Sequence, residues 1–278
     1  FVTFWILLGF YLFSRYLFQP EDDSKLMILM TGLSLGLGLA SKWSAGWAWL
    51  FVLVWLGVSR FKKLKNNKVQ FQLLPWQIFS LILVPSIIYL LSYWPVLING
   101  GFNKLAELHR QIIWYQTHRD SNHAYASQPW HWFLNLRPVW YWKGQDLSHN
   151  LKANIYALGN PLLQWLGVGA ILAAVFELFK KIKPQLLFLI LAYFSLWLPW
   201  IFSPRIMFYY HYLPAVPLLA IILAWFLHKK IKPVSTLLYF GLISIIFVNF
   251  WLFYPNWIGL AVPKTWVERV YFAIESWR

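Results

Sequence analysis

The sequence contains no cysteine, and only 9 of its 278 residues are Asp or Glu. The absence of cysteine excludes disulfide bonds and thiolate chemistry, and it leaves the redox compartment unreadable. The shortage of carboxylates limits general acid–base catalysis, in which Asp and Glu are common proton carriers. The sequence also lacks zinc-ligand spacing, a phosphate-binding glycine loop, a nucleotide fingerprint and a Ser-His-Asp pattern. It therefore shows none of the common signatures of metal, nucleotide or serine-hydrolase chemistry.

Charged residues of both signs are scarce, and apolar residues take their place. Charged residues make up 12% of the chain, hydrophobic residues 60%, and the mean hydropathy is +0.53. A soluble domain carries roughly 25% charged residues. Apolar runs near the length needed to cross a ~30 Å hydrocarbon core recur along the whole chain. The sequence therefore encodes an integral membrane protein that crosses the bilayer several times.

Apolar runs predict the positions of the membrane helices. The segments are about Val2–Phe18, Leu26–Ala40, Trp43–Val58, Leu73–Ile98, Ile155–Phe179, Gln185–Phe202, Ile206–Leu227 and Val234–Tyr254. The second and third segments are each short for a full crossing, and Ser41-Lys42 divides them. We interpret them as a tight helical hairpin with Lys42 at its turn, with one long kinked helix as the alternative.

These segments divide an all-α polytopic membrane protein into regions. The regions are transmembrane helices of a central bundle in 1–98, an external interfacial loop in 99–154, a four-helix transmembrane region in 155–254 and an external amphipathic tail in 255–278. Within the loop, Phe102–Tyr115 places Leu105, Leu108 and Ile112 at helical spacing. This pattern favours a helix lying in the membrane interface over a helix of a small external domain.

The net charge of +15 would suit a nucleic-acid partner, but its distribution argues against one. Cations concentrate in short loops between apolar runs, namely at Arg60, Lys62, Lys63, Lys65 and Lys68, at Lys180, Lys181 and Lys183, and at Lys229, Lys230 and Lys232. Short basic loops mark the cytoplasmic side and attract anionic lipid. We therefore expect membrane lipid and no nucleic acid as a partner. The 99–154 loop, Lys42 and the tail then lie on the non-cytoplasmic side.

The 123–142 stretch combines aromatic rings with hydrogen-bonding side chains. It carries His123, Tyr125 and Trp130, and Arg137 follows among further aromatic residues. Rings beside polar tips suit a sugar or a peptide ligand. The alternative is an aromatic belt that anchors the loop at the lipid headgroups.

Two further groups lie on the same predicted side. Arg205 and His211 are six residues apart near the outer end of a span. Ionisable residues in such places are functional candidates, and the arginine fork matches a phosphate. The alternative is an Arg205 that snorkels to the interface and a His211 that is a satisfied polar group in the bundle. Lys42, beside Trp43, is the second group on this predicted side. Taken alone, a lysine at the end of a helix is an anchor that fixes the membrane topology.

Carboxylates on this side are few and lie outside the apolar spans. They are Glu107, Asp120, Asp146, Glu268 and Glu275. A shielded base with a raised pKa is therefore not predicted. Composition and spacing lead to an external pocket for an anionic ligand, with or without a sugar, and go no further.

The 123–142 stretch, H-A-Y-A-S-Q-P-W-H-W-F-L-N-L-R-P-V-W-Y-W, resembles the H-P-Y-x-S-x-W-x-x-W-P-x-x-x-R-P-x-W-Y-x signature of the protein O-mannosyltransferases. Other elements of that family are similar to segments found here in the same order. They are T-G-L-S-L-G-L-G-L-A-S-K-W at 31–43, A-L-G-N-P at 157–161, R-x-x-F-x-Y-H-Y-L-P-A at 205–215, and a tail with Pro255, Gly259, Trp266, Arg269 and Trp277. Together these elements cover most of the chain.

The resemblance implies the membrane glycosyltransferase fold of GT-C type. It implies inverting transfer of mannose from polyprenyl- or dolichyl-phosphate-mannose to Ser or Thr of an exported protein, outside the cytoplasm. The lipid-linked mannose is then a substrate, and neither a cofactor nor a metal is expected. No soluble insertion lies between Val58 and Leu73, so the chain is similar to the shorter prokaryotic form of the plasma membrane. Members of the family often form homodimers or heterodimers, but no interface can be chosen from these residues.

The chain departs from the family pattern at two positions and in one region. Ala124 stands where the family usually has proline, and Phe133 follows Trp132. The family's acidic Asp-Glu pair belongs to a first external loop near the N-terminus. The sequence begins at Phe1, inside an apolar run, so we expect the C-terminal part of a longer protein. No residue here inherits the role of catalytic base.

Roles for the external clusters follow as hypotheses, because a lipid phosphate needs fixed cations. The expected phosphate ligands are Arg205, Arg137 and Lys42. The residues expected to orient the phosphate or its sugar are His211 and Tyr212, and those expected to line the acceptor groove are His123, Tyr125 and Trp130.

Two rival functions remain open at this point. One keeps the fold and sends a polyprenyl-linked sugar to a lipid or a glycan. The other is a transporter or a non-catalytic membrane scaffold. The sequence shows no clear internal repeat, and its ionisable residues cluster at the outer boundary, unlike those of transporters.

Overall fold

The computed structural model describes residues 1–19, 23–64, 74–118 and 123–277. The predicted basic-loop residues Lys65 and Lys68 and the external carboxylate of Asp120 lie outside the described residues. The chain forms two compact units. The first is Phe1–His118 with Phe194–Pro199, and the second is Arg119–Tyr193 with Trp200–Arg278.

The first unit is helical. Its helices are α1 (Val2–Phe18), α2 (Ser24–Ser41), α3 (Ala45–Leu64), α4 (Leu74–Ser92, with a π-helical turn at Phe79–Leu83) and α5 (Trp94–His118). The predicted bounds of α1 are confirmed. The helical character of Phe102–Tyr115 is also confirmed, since it lies in α5 beyond a break at Gly101, where φ is 64°.

Two helix boundaries in this unit bear on the predictions from the sequence. One decides between a hairpin and a single kinked helix, and the other corrects the end of a predicted span. Residues Lys42–Ser44 separate α2 from α3, so the pair is not one kinked helix. The predicted single span Leu73–Ile98 is wrong beyond Ser92, because Tyr93 leaves the helix and a new helix begins at Trp94. Pro95 explains the new start, because proline lacks the N–H that a continuous helix needs and fits a first turn.

Glycines let α2 pack directly against α4. A Cβ at Gly32 would lie 1.6 Å from the carbonyl oxygen of Ser80, and one at Gly36 would lie 2.9 Å from the Cα of Pro85. Small residues permit this approach between membrane helices, where close van der Waals contact drives association. The indole Nε1 of Trp49 on α3 donates to the carbonyl of Leu81, 2.6 Å away, and ties α3 to the same region of α4.

The second unit combines membrane helices with short strands. Its elements are α6 (Pro129–Trp132), β1 (Val139–Lys143), β2 (Leu151–Lys152), β3 (Asn154–Ala157), α7 (Pro161–Lys180), α8 (Pro184–Trp197), α9 (Tyr209–Ile231), α10 (Thr236–Ile258), β4 (Val262–Pro263) and α11 (Lys264–Trp266). A 3₁₀ turn at Leu198–Phe202 extends α8.

The predicted span from Ile155 to Phe179 begins too early. Residues 154–157 form β3, which pairs antiparallel with β1 from Val139↔Ala157 to Lys143↔Asn154. Helix α7 starts only at Pro161, and the side chain of Asn160 caps it by accepting from the N–H of Leu163 at 3.0 Å. The residue before a proline avoids helical geometry, which fixes the boundary.

The C-terminal tail docks on the strands. β4 pairs with β2 through Leu151↔Pro263 and Lys152↔Val262. A buried cluster joins the tail to the strands and to α10, and it consists of Tyr156, Leu158, Phe253, Val267, Tyr271 and Trp277. The tail is therefore part of the packed core of the second unit.

Helices long and apolar enough to cross a bilayer are present throughout the described ranges. There are six, namely Ser24–Ser41, Leu74–Ser92, Pro161–Lys180, Pro184–Phe202, Tyr209–Ile231 and Thr236–Ile258. The apolar helices Val2–Phe18 and Ala45–Phe61 are shorter. The chain is a multi-pass membrane protein.

The glycine contacts give the first prediction. Gly32→Ala forces a methyl group into the Ser80 carbonyl, so α2 and α4 must separate, at a cost of about 1–3 kcal/mol of stability. Gly57→Ala is the matched control, because a Cβ at that helical position meets no atom within 4 Å. The midpoint temperature of thermal unfolding in detergent is expected to fall for Gly32→Ala and to stay unchanged for Gly57→Ala. Equal midpoints for both variants would contradict the packing described here.

Candidate functional site

The first and second sequence motifs come together in the second unit. The N–H of Ser127 donates to the carbonyl of Met207 at 2.9 Å. The ring of His123 lies edge-on to that of Phe208, with centroids 5.2 Å apart. Two segments about eighty residues apart in sequence therefore form one surface, which we call the joined motif surface (residues 123–142 with 205–212).

Trp132 and His211 form the buried centre of this surface. The indole of Trp132 is fully buried, and its Nε1 donates to the Ser127 hydroxyl at 2.9 Å. The ring of His211 stacks on the indole with centroids 6.1 Å apart and an interplanar angle of 16°. The ring of Trp200 meets His211 edge-on, with centroids 4.5 Å apart, and also lies 6.5 Å from Trp132. His211 thus has a fixed orientation, and it is 5% exposed.

Buried tyrosines hold the helical end behind this centre. The hydroxyl of Tyr209 donates to Oε1 of Gln164 at 3.0 Å, and Nε2 of Gln164 donates to the carbonyl of Trp132 at 3.3 Å. Tyr212 is also fully buried, and its hydroxyl shares a hydrogen bond of 2.7 Å with Tyr193. Tyr212 therefore supports the site from behind. Its predicted contact with the donor stays a prediction.

Arg137 holds the motif to the tail. Its Nε and Nη2 atoms donate to the carbonyl of Ala124 at 3.2 and 2.7 Å, and Nη1 donates to the carbonyl of Ser276 at 3.0 Å. Its guanidinium also lies 5.6 Å from the ring centroid of Tyr125. Three of the five N–H groups of the arginine are used in these bonds, and two remain for another acceptor.

Arg205 is half-buried at the turn that precedes α9. Its Nε donates to the carbonyl of Ile206 at 3.3 Å. Its position at the end of a membrane-spanning helix fits the role that the sequence predicts, a cation at the depth of a lipid phosphate. That role is not tested by the geometry of this turn.

A row of stacked rings crosses the surface. Tyr141 stacks on Tyr210 at 6.3 Å and 29°, and Tyr210 stacks on Phe208 at 5.4 Å and 15° and on His211 at 4.6 Å and 27°. Burial, followed by the neighbouring Tyr210, raises the pKa of the Tyr141 phenol. Tyr141 therefore stays a neutral hydrogen-bond donor. Exposed rings with such donors can stack on a sugar and hydrogen-bond to it.

The predicted acceptor residues lie at the rim of the same surface. His123 and Trp130 are exposed, with Trp130 at 49%. Tyr125 is half-buried between the rings of His123 and Trp140, with centroids 6.0 and 6.5 Å away. An extended ligand can reach these side chains without a change in the fold.

Asn135 is a site residue that the sequence reasoning missed. It has φ of 59°, is fully buried, and donates from Nδ2 to the carbonyl of Gly159 at 3.2 Å. The indole of Trp277 donates to its carbonyl at 2.6 Å. Asparagine tolerates this left-handed conformation better than most residues. Its presence between two aromatic segments is the feature of the sequence that could have indicated a tight turn here. Asn135 thus joins the motif, the start of α7 and the tail.

Lys42 belongs to the first unit, where it ends α2. Its backbone N–H donates to the carbonyl of Gly38 at 2.9 Å, and its backbone is extended. The neighbouring Trp43 donates from Nε1 to the hydroxyl of Tyr89 at 2.7 Å, and that hydroxyl lies 2.8 Å from Nε2 of His109. Nδ1 of His109 lies 2.8 Å from the carbonyl of Leu105.

One proton position in this network follows from the chemistry of its groups. A carbonyl can only accept, so Nδ1 of His109 carries a proton, while the Tyr89 hydroxyl lies within hydrogen-bond distance of both Nε2 of His109 and the Tyr93 hydroxyl. The network joins the Lys42 turn to the amphipathic part of α5. Tyr89 and His109 were also missed from the sequence, although His109 lies one helical turn after Leu105 on the predicted helix.

Among the described residues, no group of three or more His, Cys, Asp or Glu side chains is placed to hold a metal ion. Of the described carboxylates that the sequence predicts on the non-cytoplasmic side, Glu107 and Glu268 lie in ion pairs, and Asp146 and Glu275 are exposed. Glu268 lies 3.4 Å from Lys152, and Glu107 lies 3.5 Å from Arg110. The joined motif surface is thus made of aromatic, amide and cationic groups.

Family comparisons match almost the whole chain. Residues 101–277 match a family model described as the C-terminal four-transmembrane region of protein O-mannosyltransferase. Residues 1–97 match a model described as dolichyl-phosphate-mannose-protein mannosyltransferase.

Curated relatives have the same assignment. A protein from Corynebacterium glutamicum named polyprenol-phosphate-mannose–protein mannosyltransferase is 24% identical over 94% of this chain and 59% of its own length. One of the same name from Mycobacterium tuberculosis is 23% identical over 89% of this chain and 56% of its own length. The chain therefore spans less than two thirds of these relatives.

A solved structure shares the fold. It is the S. cerevisiae protein O-mannosyltransferase Pmt1–Pmt2 complex bound to the sugar donor, with a TM-score of 0.50 and 23% identity. The match covers 61% of this chain and 26% of that one. The predicted GT-C membrane fold is confirmed.

The buried hydrogen bond of Tyr209 gives a prediction for the support of the site. Tyr209→Phe leaves Oε1 of Gln164 buried without this donor, which is expected to cost about 1–3 kcal/mol. Tyr125→Phe is the control, because the Tyr125 hydroxyl makes no hydrogen bond with any residue that the structure describes. Thermal unfolding in detergent should separate the two variants, and a Tyr209→Phe midpoint at or above that of the control would refute the assignment.

The Arg137 contacts give a second prediction. Arg137→Gln removes the charged donors that hold Ser276, so backbone amides in 264–277 are expected to exchange hydrogen faster. Arg110→Gln is the matched control, because Arg110 is an exposed side chain paired only weakly with Glu107. Mass-spectrometric hydrogen exchange measures both. Unchanged protection of the tail in Arg137→Gln would show that the arginine does not hold it.

Proposed function

Because the chain belongs to the protein O-mannosyltransferase family, we propose that it takes part in protein O-mannosylation. The reaction moves mannose from a polyprenyl- or dolichyl-phosphate-mannose donor to Ser or Thr of exported proteins. The names of the curated relatives support the donor and the protein acceptor. The carrying observation is the joined motif surface, where the 123–142 and 205–212 segments meet through Ser127 and Met207. Such a surface offers rings, amides and a cation to a phosphate-linked sugar.

The donor phosphate binds Arg205, with help from the two N–H groups of Arg137 not used in its backbone contacts. The phosphate contact that the sequence predicts for Lys42 stays a prediction. Fixed cations stabilise the charge that develops on the departing phosphate. His211, held by contacts with both Trp132 and Trp200, orients the phosphate or the mannose, and Tyr212 supports that arrangement through its hydrogen bond with Tyr193.

The acceptor polypeptide lies along His123, Tyr125 and Trp130. Their position at the rim supports this, since an exported chain must reach the site from water. The catalytic base is assigned to no described residue of this chain: Glu268 and Glu107 lie in ion pairs, and Asp146 and Glu275 are exposed.

The proposed location is the plasma membrane of a prokaryote, with residues 99–154 and the tail on the non-cytoplasmic side. The basic loops support this orientation. The yeast complex contains two related chains, and pairing of this chain with a second copy or a homologue is part of the proposal.

Transfer of label from a mannose donor tests this function. Membranes from cells that express the full-length protein are given polyprenyl-phosphate-[³H]mannose, and label is followed into protein and into lipid. We expect label in protein. Arg205→Ala is expected to lower the turnover about 10²–10³-fold, the usual effect of losing one electrostatic donor. Arg205→Lys keeps the charge without the planar fork and should recover part of the activity.

Arg110→Ala is the control for this experiment, because its side chain is exposed on α5. Turnover near the wild-type value in Arg205→Ala would remove the phosphate role from that residue. Label found only in lipid or glycan would contradict the protein acceptor and support the rival function, in which the sugar is sent to a lipid or a glycan. No label in either fraction above cells that lack the protein would refute the glycosyltransferase proposal.

A further inference from the structure

A basic cavity lies in the second unit, apart from the joined motif surface. It has a volume of about 480 Å³ and lies between the end of β1 and the start of β3, closed by Lys264 of the tail. The polar residues that matter for its chemistry are Lys143, Lys152, Asp146 and His149. Nothing in the proposed transfer reaction uses these side chains.

The charge of the cavity is positive. Three lysines face one acidic residue of the lining, Asp146, and Nζ of Lys152 lies 3.4 Å from Oε1 of Glu268. Asp146 has φ of 55°, a backbone conformation that Asp and Asn tolerate in tight turns. The conformation of the turn therefore explains why an acidic residue is present in this lining. Lys143 and Lys264 have no carboxylate partner among the described residues. They are the cations available to an anion.

The chain places this cavity at the membrane surface. Helix α10 ends at Ile258, six residues before Lys264, and Gly259 caps it with φ of 76°. A Cβ at Gly259 would lie 3.1 Å from atoms of both Trp142 and Ile155, so the β1–β3 ribbon packs on the end of a membrane-spanning helix. The cavity beside that ribbon is therefore at the depth of lipid headgroups.

Exposed apolar side chains lie in the cavity lining and close to it in the chain. Leu147 (38% exposed) and Leu151 (37%) are part of the lining, Trp142 (46%) precedes Lys143, and Trp266 (40%) lies two residues after Lys264. Tryptophan is enriched where the bilayer meets water, and leucines beside it favour contact with acyl chains. An acidic peptide would match the lysines but would leave this apolar rim in water.

We propose that this cavity binds the phosphate headgroup of an anionic phospholipid, held by Lys143 and Lys264, with the acyl chains against the apolar rim. The site anchors the β1–β3 ribbon and the tail to the bilayer. It is independent of the mannose donor and of the proposed transfer reaction.

Binding of a short-chain lipid to the purified protein in detergent tests this site. The probe is dihexanoyl phosphatidylglycerol, with dihexanoyl phosphatidylcholine as the neutral comparison, and native mass spectrometry reports the bound fraction. We expect the double variant K143Q/K264Q to bind phosphatidylglycerol roughly 30-fold more weakly, about 1 kcal/mol for each lysine near an anionic lipid. Each single variant should lose roughly fivefold. K143R/K264R should retain binding.

The matched control is K25Q/K104Q, which lowers the net charge equally at two exposed lysines outside the cavity and outside the basic loops. The single variants and K143R/K264R carry the test if the double glutamine variant does not fold. Equal loss in the control pair, or no loss in K143Q/K264Q, would overturn the proposal. Inorganic phosphate that binds as well as the lipid would overturn the lipid assignment. Binding of a polyglutamate peptide, with no binding of phosphatidylglycerol, would show that the cavity is a site for an acidic polypeptide.

Discussion

The structure depends on one constraint, which is that polar groups inside apolar helices must find partners within the protein. Water is absent from the bilayer core, and an unsatisfied group there costs several kcal/mol. Tyr209, Gln164 and the Trp132 carbonyl satisfy this constraint as a chain of hydrogen bonds. A second pair, Tyr193 and Tyr212, does the same one helical turn further along. These bonds fix the end of α9 and with it His211.

The same requirement explains how the backbone of residues 123–157 is held. A long loop at the membrane surface has many backbone groups to satisfy, and here strands, caps and an arginine do so. β1 pairs with β3, β2 pairs with β4, and Arg137 donates to Ala124 and Ser276. The joined motif surface is consequently supported on one side by membrane helices and on the other by the tail. Aromatic rings held in this way offer a ligand a fixed surface. Few side chains therefore lose conformational freedom when the ligand binds.

Two features of the fold show how far sequence patterns reach. Apolar runs located α1 to the residue, because hydropathy averages over many side chains and tolerates single exceptions. The strand at 154–157 was missed because a short run of apolar residues fits a helix and a strand equally. The break at Tyr93 was missed because the apolar run continues across it. Pro95 and the Asn160-Pro161 pair were the local signals that could have corrected both boundaries.

By itself, the sequence determined the membrane class, most of the helices, the basic loops and the motifs that identify the family. These properties are local or compositional, so they are carried by short windows of residues. Only the tertiary structure decided which motifs meet, that Arg137 is committed to backbone carbonyls, and that Asn135, Tyr89 and His109 take part. The physical reason is that hydrogen bonds between residues far apart in the chain depend on direction and distance after folding, and neither is encoded in periodicity.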